Sequence, residues 1–155
     1  MVKIMLILPR TPCLVFLVLF SSAVAMAGGI EIGTPLVAGN VTTYEKRQKT
    51  GETDLSPARL QAAFNWLEQH RSGWVGEITP GSSEPVRFEV ALKHRDGHIT
   101  TMSVIAAASG GYDLRVTGPG TMAYRSLGGL FQSWAATRSL SDQNVAALRR
   151  LFGVT

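Results

Sequence analysis

An alternation of apolar and charged residues constrains the fold of this chain more than any other feature. The apolar set is Val86, Phe88, Val90 and Leu92. Charged residues stand between and after them, at Arg87, Glu89 and Lys93. Successive side chains of a strand point to opposite faces, so a period of two buries one set and exposes the other. The segment therefore predicts a β-strand with one buried face.

Arg95-Asp96-Gly97 predicts a hairpin after this strand, and two loop lengths fit it. A two-residue turn at Asp96-Gly97 pairs Val90 with Ser103. A three-residue loop with Gly97 in the left-handed region pairs His94 with His98 and sets Leu92 opposite Thr100, Val90 opposite Met102 and Phe88 opposite Val104. A slip of one residue moves every side chain to the other face. We expect the three-residue loop because it keeps the apolar face continuous.

Helix signals lie on both sides of this region. Ser56 and Pro57 form a typical N-cap and first turn, with an apolar stripe at Leu60, Ala63, Phe64 and Leu67 and a stop at Gly73. A second apolar stripe predicts another helix and comprises Leu127, Leu130, Phe131, Trp134 and Ala135. A third helix starts at Ser141 and stops at Gly153.

Two further short strands complete the expected fold. Trp74, Gly76 and Ile78 alternate as one, and Tyr112, Leu114 and Val116 as another that ends at Gly118-Pro119-Gly120. The order is helix, strands, helix, helix. It predicts an α+β domain over residues 55–155: an antiparallel sheet of about four strands (a meander) with one N-terminal helix and two C-terminal helices packed on it.

The first 27 residues have the order of a secretory signal peptide. Lys3 and Arg10 precede an apolar run that ends in small residues. Ala25-Met26-Ala27 predicts cleavage after Ala27, and Ala23-Val24-Ala25 offers a second site. The apolar run is shorter than the roughly 20 residues that span a bilayer, so we expect no membrane anchor after cleavage.

Cleavage also changes the cysteine content and the net charge of the mature protein. The one cysteine, Cys13, leaves with the signal, which excludes a disulfide scaffold. Loss of Lys3 and Arg10 lowers the formal net charge of +4 by two, which weakens any argument for a nucleic-acid partner. Residues 28–54 are rich in Gly and Thr and carry a charge run at 45–49, so we expect an extended leader or linker.

His94 and His98 are the weak candidates for a metal site. In the three-residue register they form a cross-strand pair close enough to share an ion. Zinc needs at least three protein ligands, and no third ligand can be placed from the sequence. We therefore expect no metal and no cofactor, and a solvated hairpin tip at this pair.

An enzyme is the alternative reading. In topology and residue types the chain resembles small secreted ribonucleases, in which a carboxylate, a histidine and arginines converge on a phosphate. The resemblance implies a small hydrolase or nuclease acting through Glu77, His94 and Arg115. No local motif supports it, and alternation along the strands indicates ordinary cross-strand charge pairs.

Four residues are candidates for binding. Trp66 lies off the stripe of the first helix, which suggests partial exposure, and Trp74 follows that helix. Tyr124 and Arg125 follow Gly118-Pro119-Gly120 in an expected loop. Aromatic residues and arginine dominate interface hot spots, although packing is the more ordinary role for each.

These observations favour a bacterial periplasmic or secreted protein that binds another protein and is not an enzyme. An inhibitor or immunity-type protein that blocks an envelope-acting toxin or hydrolase needs only a stable scaffold and one complementary surface. An accessory protein of an envelope secretion or assembly machine has the same requirements and stays open.

Overall fold

The computed structural model describes residues 27–32, 34–76, 85–118, 122–126, 131–133 and 135–154. This part of the chain forms ten strands and two helices. The strands are β1 (Ala27–Ile32), β2 (Leu36–Glu45), β3 (Gln48–Asp54), β4 (Ser72–Gly76), β5 (Val86–His94), β6 (Ile99–Ala106), β7 (Tyr112–Thr117), β8 (Met122–Ser126), β9 (Phe131–Ser133) and β10 (Ala135–Leu140). The helices are α1 (Pro57–Gln69) and α2 (Asp142–Phe152).

All ten strands belong to one sheet in the order β3-β2-β5-β6-β7-β10-β4-β1-β8-β9. Each described pairing is antiparallel. The expected α+β arrangement of about four strands and three helices is therefore wrong: the protein is mostly sheet, with two helices in the described residues.

The sheet must curl strongly, because β1 and β2 are neighbours in the chain but not in the sheet. Six strand spacings separate them in the sheet order. A flat sheet would place them ~29 Å apart at the usual spacing between strands. The chain from Ile32 to Leu36 can span at most ~15 Å. Curvature of the sheet brings the ends of β1 and β2 within this reach.

β5 and β6 pair in the register that was expected for a three-residue loop. Phe88 pairs with Val104, Val90 with Met102, and Leu92 with Thr100. All of these residues are buried on the face that carries the core. The expected hairpin register is thus confirmed, and with it the apolar face of the central sheet.

The core lies between this face of the sheet and the two helices. Its members come from both helices and from seven strands, and include Trp74, Phe88, Leu67, Leu114 and Leu148. Ser56 caps α1 and Pro57 opens it, as expected. Ser141 caps α2, and Gly153 ends it with φ 71° in the left-handed region, again as expected.

The expected end of α1 is wrong. His70 is the C-cap of α1, and Gly73 lies in β4 with φ 81°. The stripe holds for Leu60, Ala63 and Leu67, which are buried, whereas Phe64 is half-buried.

The expected helix around Leu127 to Ala135 is wrong. Phe131 begins β9 and Ala135 begins β10, while residues 127–130 and Trp134 lie outside the described residues. Ala135 and Ala136 are both buried although successive residues of a strand face opposite sides. Burial on both faces removes the period of two by which a strand is recognised.

Residues 28–54, predicted as an extended leader, carry β1, β2 and β3. Gly39 of β2 shows why the strand signal is weak there. A Cβ at this position would lie 2.8 Å from the carbonyl oxygen of Ala91 and 3.1 Å from the side chains of Leu55 and Leu60. The sheet needs glycine where a residue with a side chain would otherwise mark the buried face.

In the described part of the chain, neither helix has the length and apolar character needed to cross a membrane.

Candidate functional site

The β5–β6 turn is built by hydrogen bonds within the hairpin. The amide of His94 donates to the carbonyl of His98 at 2.8 Å, and the amide of Gly97 donates to the carbonyl of His94 at 3.0 Å. Gly97 has φ 89°, a left-handed conformation that glycine adopts without steric cost. This is the turn geometry expected from the Arg95-Asp96-Gly97 sequence.

Asp96 adds a side-chain bond to the turn. Its Oδ1 accepts a hydrogen bond from the amide of His98 at 3.0 Å, and its Oδ2 lies 3.4 Å from Nδ1 of the His98 ring. The backbone hydrogen bond from His98 lowers the pKa of the Asp96 carboxyl from its ordinary value. The tip of the hairpin therefore carries an ionised carboxylate at neutral pH.

His94 is completely buried at the base of the same turn. Its Nδ1 lies 3.0 Å from the carbonyl oxygen of Thr34, and its Nε2 lies 2.8 Å from the hydroxyl of Thr100. A carbonyl oxygen can only accept, so Nδ1 carries the proton and Nε2 accepts from Thr100 in the neutral ring. Both ring nitrogens are thus used within the protein.

The link between β1 and β2 is held against this hairpin. Thr34 supplies the carbonyl that His94 binds, and the carbonyl of Pro35 accepts a hydrogen bond from the amide of Arg95 at 3.0 Å. These contacts fix the hairpin tip to a second part of the backbone. We call the whole region, residues 34–38 and 93–99, the hairpin-end surface.

Two exposed apolar side chains lie on the hairpin-end surface. Val37 is 48% exposed and Ile99 is 50% exposed. Ala38, Lys93 and Ile99 are neighbours across β2, β5 and β6, so the exposed Lys93 lies between the two strands that carry the apolar positions.

Charged residues lie between and beside these two apolar side chains. Lys93, Arg95, Asp96 and His98 are all exposed. Protein interfaces also contain apolar side chains next to polar and charged ones. Ile99 could have been found from the sequence, because the three-residue register places it opposite Lys93 on the outward face. Val37 could not, because it lies at an irregularity of the β2–β5 pairing.

The two candidate metal ligands are not brought together. The backbones of His94 and His98 pair as expected, but the ring of His94 is in the core and the side chain of His98 is about half exposed. The expectation of a solvated tip holds for His98 and is wrong for His94. Among the residues that the structure describes, no group of three potential ligands could hold a metal ion.

The two tryptophans that were candidates for binding, Trp66 and Trp74, lie in the core. Trp66 is 9% exposed and stacks on His70 with 4.0 Å between ring centroids. Trp74 is fully buried, and its Nε1 donates to the carbonyl of His70. The expected partial exposure of Trp66 is wrong because its ring covers the end of α1. Neither ring is presented to a partner.

Tyr124 and Arg125 lie in a strand and not in the expected loop. They belong to β8, where Tyr124 pairs with Ile30 and Arg125 with Gly29. The loop was expected because Gly118-Pro119-Gly120 precedes them, and residues 119–121 lie outside the described part of the chain.

The hydrolase candidates are divided between two faces of the sheet. His94 continues the buried series of β5, whereas Arg115 lies between Leu114 and Val116, which both face the core. Arg115 therefore belongs to the opposite face. Glu77 lies outside the described residues. The structure does not bring His94 and Arg115 together at one site.

No protein-family model, curated protein or solved structure matches this chain.

Proposed function

We propose that this chain is an exported, periplasmic protein that binds another protein through the hairpin-end surface and is not an enzyme. The observation that carries the proposal is the pair of half-exposed apolar side chains, Val37 and Ile99, with charged residues between and beside them. Isolated apolar residues are common on protein surfaces, but two of them on the strands that flank β5, at the end of a rigid turn, favour an interface.

Rigidity adds to the argument. Binding costs free energy when loops become ordered, and a surface that is already fixed avoids part of that cost. Here the turn is fixed by the amides of His94 and Gly97, by the Asp96 side chain and by the contact of Arg95 with Pro35. The partner class that fits best is an envelope-acting toxin or hydrolase, with this chain as its inhibitor or immunity-type protein.

The proposed export rests on the signal sequence. It comprises the basic start, the apolar run and the small residues before Gly28. Cleavage after Ala27 would leave β1 starting at Gly28, and cleavage after Ala25 would leave β1 whole.

The test is photo-crosslinking in the envelope of the source cells, with a crosslinking amino acid at position 99 or position 75. Val75 is the matched control, because it is 49% exposed and lies in β4, three strands away from Ile99 in the sheet order. We expect a single stoichiometric partner crosslinked from position 99 and not from position 75.

A substitution provides the second readout. Ile99→Asp should abolish capture of that partner by the mature protein, and Val75→Asp should leave it unchanged. The buried charge would remove at least ~1 kcal/mol of apolar contact at an interface centre. Equal crosslinking from both positions, or capture unaffected by Ile99→Asp, would contradict the proposal. The identity of the partner separates an inhibitor from an accessory protein of a secretion machine.

A further inference from the structure

Two cations of the hairpin-end surface have side chains without a partner in the described part of the chain. Lys93 and Arg95 are exposed, and neither side chain takes part in an ion pair or a hydrogen bond there. The backbone of Arg95 is nevertheless fixed, because its amide donates to the carbonyl of Pro35 at 3.0 Å. Both positive charges are therefore held at one end of the sheet.

The neighbours of Lys93 in the sheet carry no charge. Ala38 of β2 and Ile99 of β6 pair with Lys93 on either side. Ala91 is the preceding residue on the same face of β5. An acidic residue at one of these positions would compensate the ammonium group, and none is present.

The acid of the hairpin-end surface is already in use. Asp96 accepts a hydrogen bond from the amide of His98 at 3.0 Å, and its second oxygen lies 3.4 Å from Nδ1 of the His98 ring. Two cations and one carboxylate give residues 34–38 and 93–99 a formal charge of +1 when the histidines are neutral. The hairpin-end surface is therefore basic.

The position of Lys93 makes its charge important in the proposed complex. Lys93 lies between the strands that carry Val37 and Ile99, so a partner that covers both apolar side chains also covers Lys93. Removal of an ammonium group from water is costly unless an opposite charge or hydrogen-bond acceptors replace the water. Within the described residues no acceptor contacts this group, so the acceptor has to come from the partner.

We infer that the partner presents an acidic surface to the hairpin end, with a carboxylate that pairs with Nζ of Lys93, an inference that rests on the proposed function. Arg95 adds a second positive charge at the same end of the sheet. Complementary charges of this kind raise the rate of association and exclude partners of the wrong charge. A basic partner would bring like charges together.

An anionic membrane is the other surface that attracts cations. Attachment to anionic lipids uses clusters of about 4–8 Lys or Arg residues. The hairpin-end surface has two, Lys93 and Arg95, and lipid head groups would repel its one carboxylate, Asp96. A carboxylate on a protein is therefore the better match.

The experiment couples Lys93 directly to its neighbour with a carbodiimide. This reagent condenses an amine with a carboxylate into an amide and takes up the released water to become a urea. The mature protein is treated in the envelope fraction of the source cells, and the coupled residues are mapped by mass spectrometry. We expect an amide bond between Nζ of Lys93 and an Asp or Glu of the protein that photo-crosslinks to position 99.

Variants at position 93 separate the charge from the amine. Lys93→Gln should lower the yield of the position-99 photo-crosslink at least about tenfold, because it leaves the carboxylate of the partner unpaired. Lys93→Arg should keep most of that yield and abolish the carbodiimide product, since a guanidinium stays protonated and does not attack the activated carboxylate. Lys46→Gln is the matched control and should leave the yield unchanged, because Lys46 is also exposed but follows the other end of β2.

The possible outcomes differ for the two proposals. Absence of a partner at position 99 would overturn the proposed function together with its acidic surface. A position-99 partner that is not coupled to Lys93, or whose yield is unchanged by Lys93→Gln, would overturn only the acidic surface. Sedimentation of the mature protein with phosphatidylglycerol vesicles that is lost in Lys93→Gln would also overturn it, in favour of a lipid surface.

Discussion

The β2–β3 and β5–β6 hairpins are adjacent in one sheet and turn in different ways. In β2–β3, Glu45 pairs with Gln48 across a two-residue turn in which Lys46 has φ 47° and Arg47 has φ 68°. In β5–β6 the left-handed position belongs to Gly97. Residues with a Cβ are costly in this conformation, so the first turn is strained and the second is not.

The strands that follow these turns also differ. β3 is exposed along nearly its whole length; besides its backbone pairing with β2, it has surface side-chain contacts such as that of Glu52 with Asn40 of β2. β5 buries Phe88, Val90, Leu92 and His94 in the core. Surface ion pairs contribute little and buried apolar contacts contribute much. Two neighbouring hairpins can therefore have very different local stability, and β3 should open first.

The largest effect is expected from removing the buried polar contact of the stable hairpin. His94→Leu would leave the Thr34 carbonyl and the Thr100 hydroxyl without their partner and should cost about 2–4 kcal/mol of unfolding free energy. Urea denaturation measures this loss of unfolding free energy. His98→Leu, on the exposed side of the same turn, is the control and should change stability by less than about 0.5 kcal/mol. Equal effects would show that the His94 contacts contribute nothing specific.

A smaller effect is expected from straining the relaxed turn. Gly97→Ala should cost about 1–2 kcal/mol, because alanine is disfavoured at φ 89°. A Cβ at Gly97 meets nothing within 4 Å, so the cost is that of the backbone alone. Gly110→Ala, at φ 88° and equally open, is the matched control, and the two variants should have equal melting temperatures. A much larger loss at Gly97 would contradict this account.

The smallest effect, and one of opposite sign, is expected from relaxing the strained turn. The double variant Lys46→Asn and Arg47→Gly replaces the turn with the pair most favoured at two left-handed positions. It should raise the unfolding free energy by less than about 1 kcal/mol and slow amide exchange in β3. Faster exchange in β3 would mean that contacts of the native side chains outweigh the strain.

The predictability of the fold varied with the same physical contrast. Where one face is buried and the turn residue is glycine, as from Phe88 to Val104, alternation and turn chemistry gave the correct register. Caps at Ser56 and Ser141 were correct because capping depends on neighbouring residues alone. These signals are local.

The errors arose where burial depends on distant parts of the chain. Gly39 lies under Leu55 and Leu60, so the buried face of β2 carries no side chain there. Ala135 is buried on the face opposite to Ala136, which hid the period of β10. Ile99 was not among the candidate residues, although the three-residue register with Lys93 opposite it would have placed it on the outward face.

The place of β1 has a consequence for how the molecule assembles. β1 lies between β4 and β8, and in the described sheet it is the strand that joins β8 and β9 to the rest. Its partners occur later in the chain, at Ser72–Gly76 and Met122–Ser126. Contacts of such long sequence separation form slowly. The earliest described segment of the chain must therefore wait for a strand that lies about 90 residues later, so this part of the sheet is completed only after Met122–Ser126 have been synthesised.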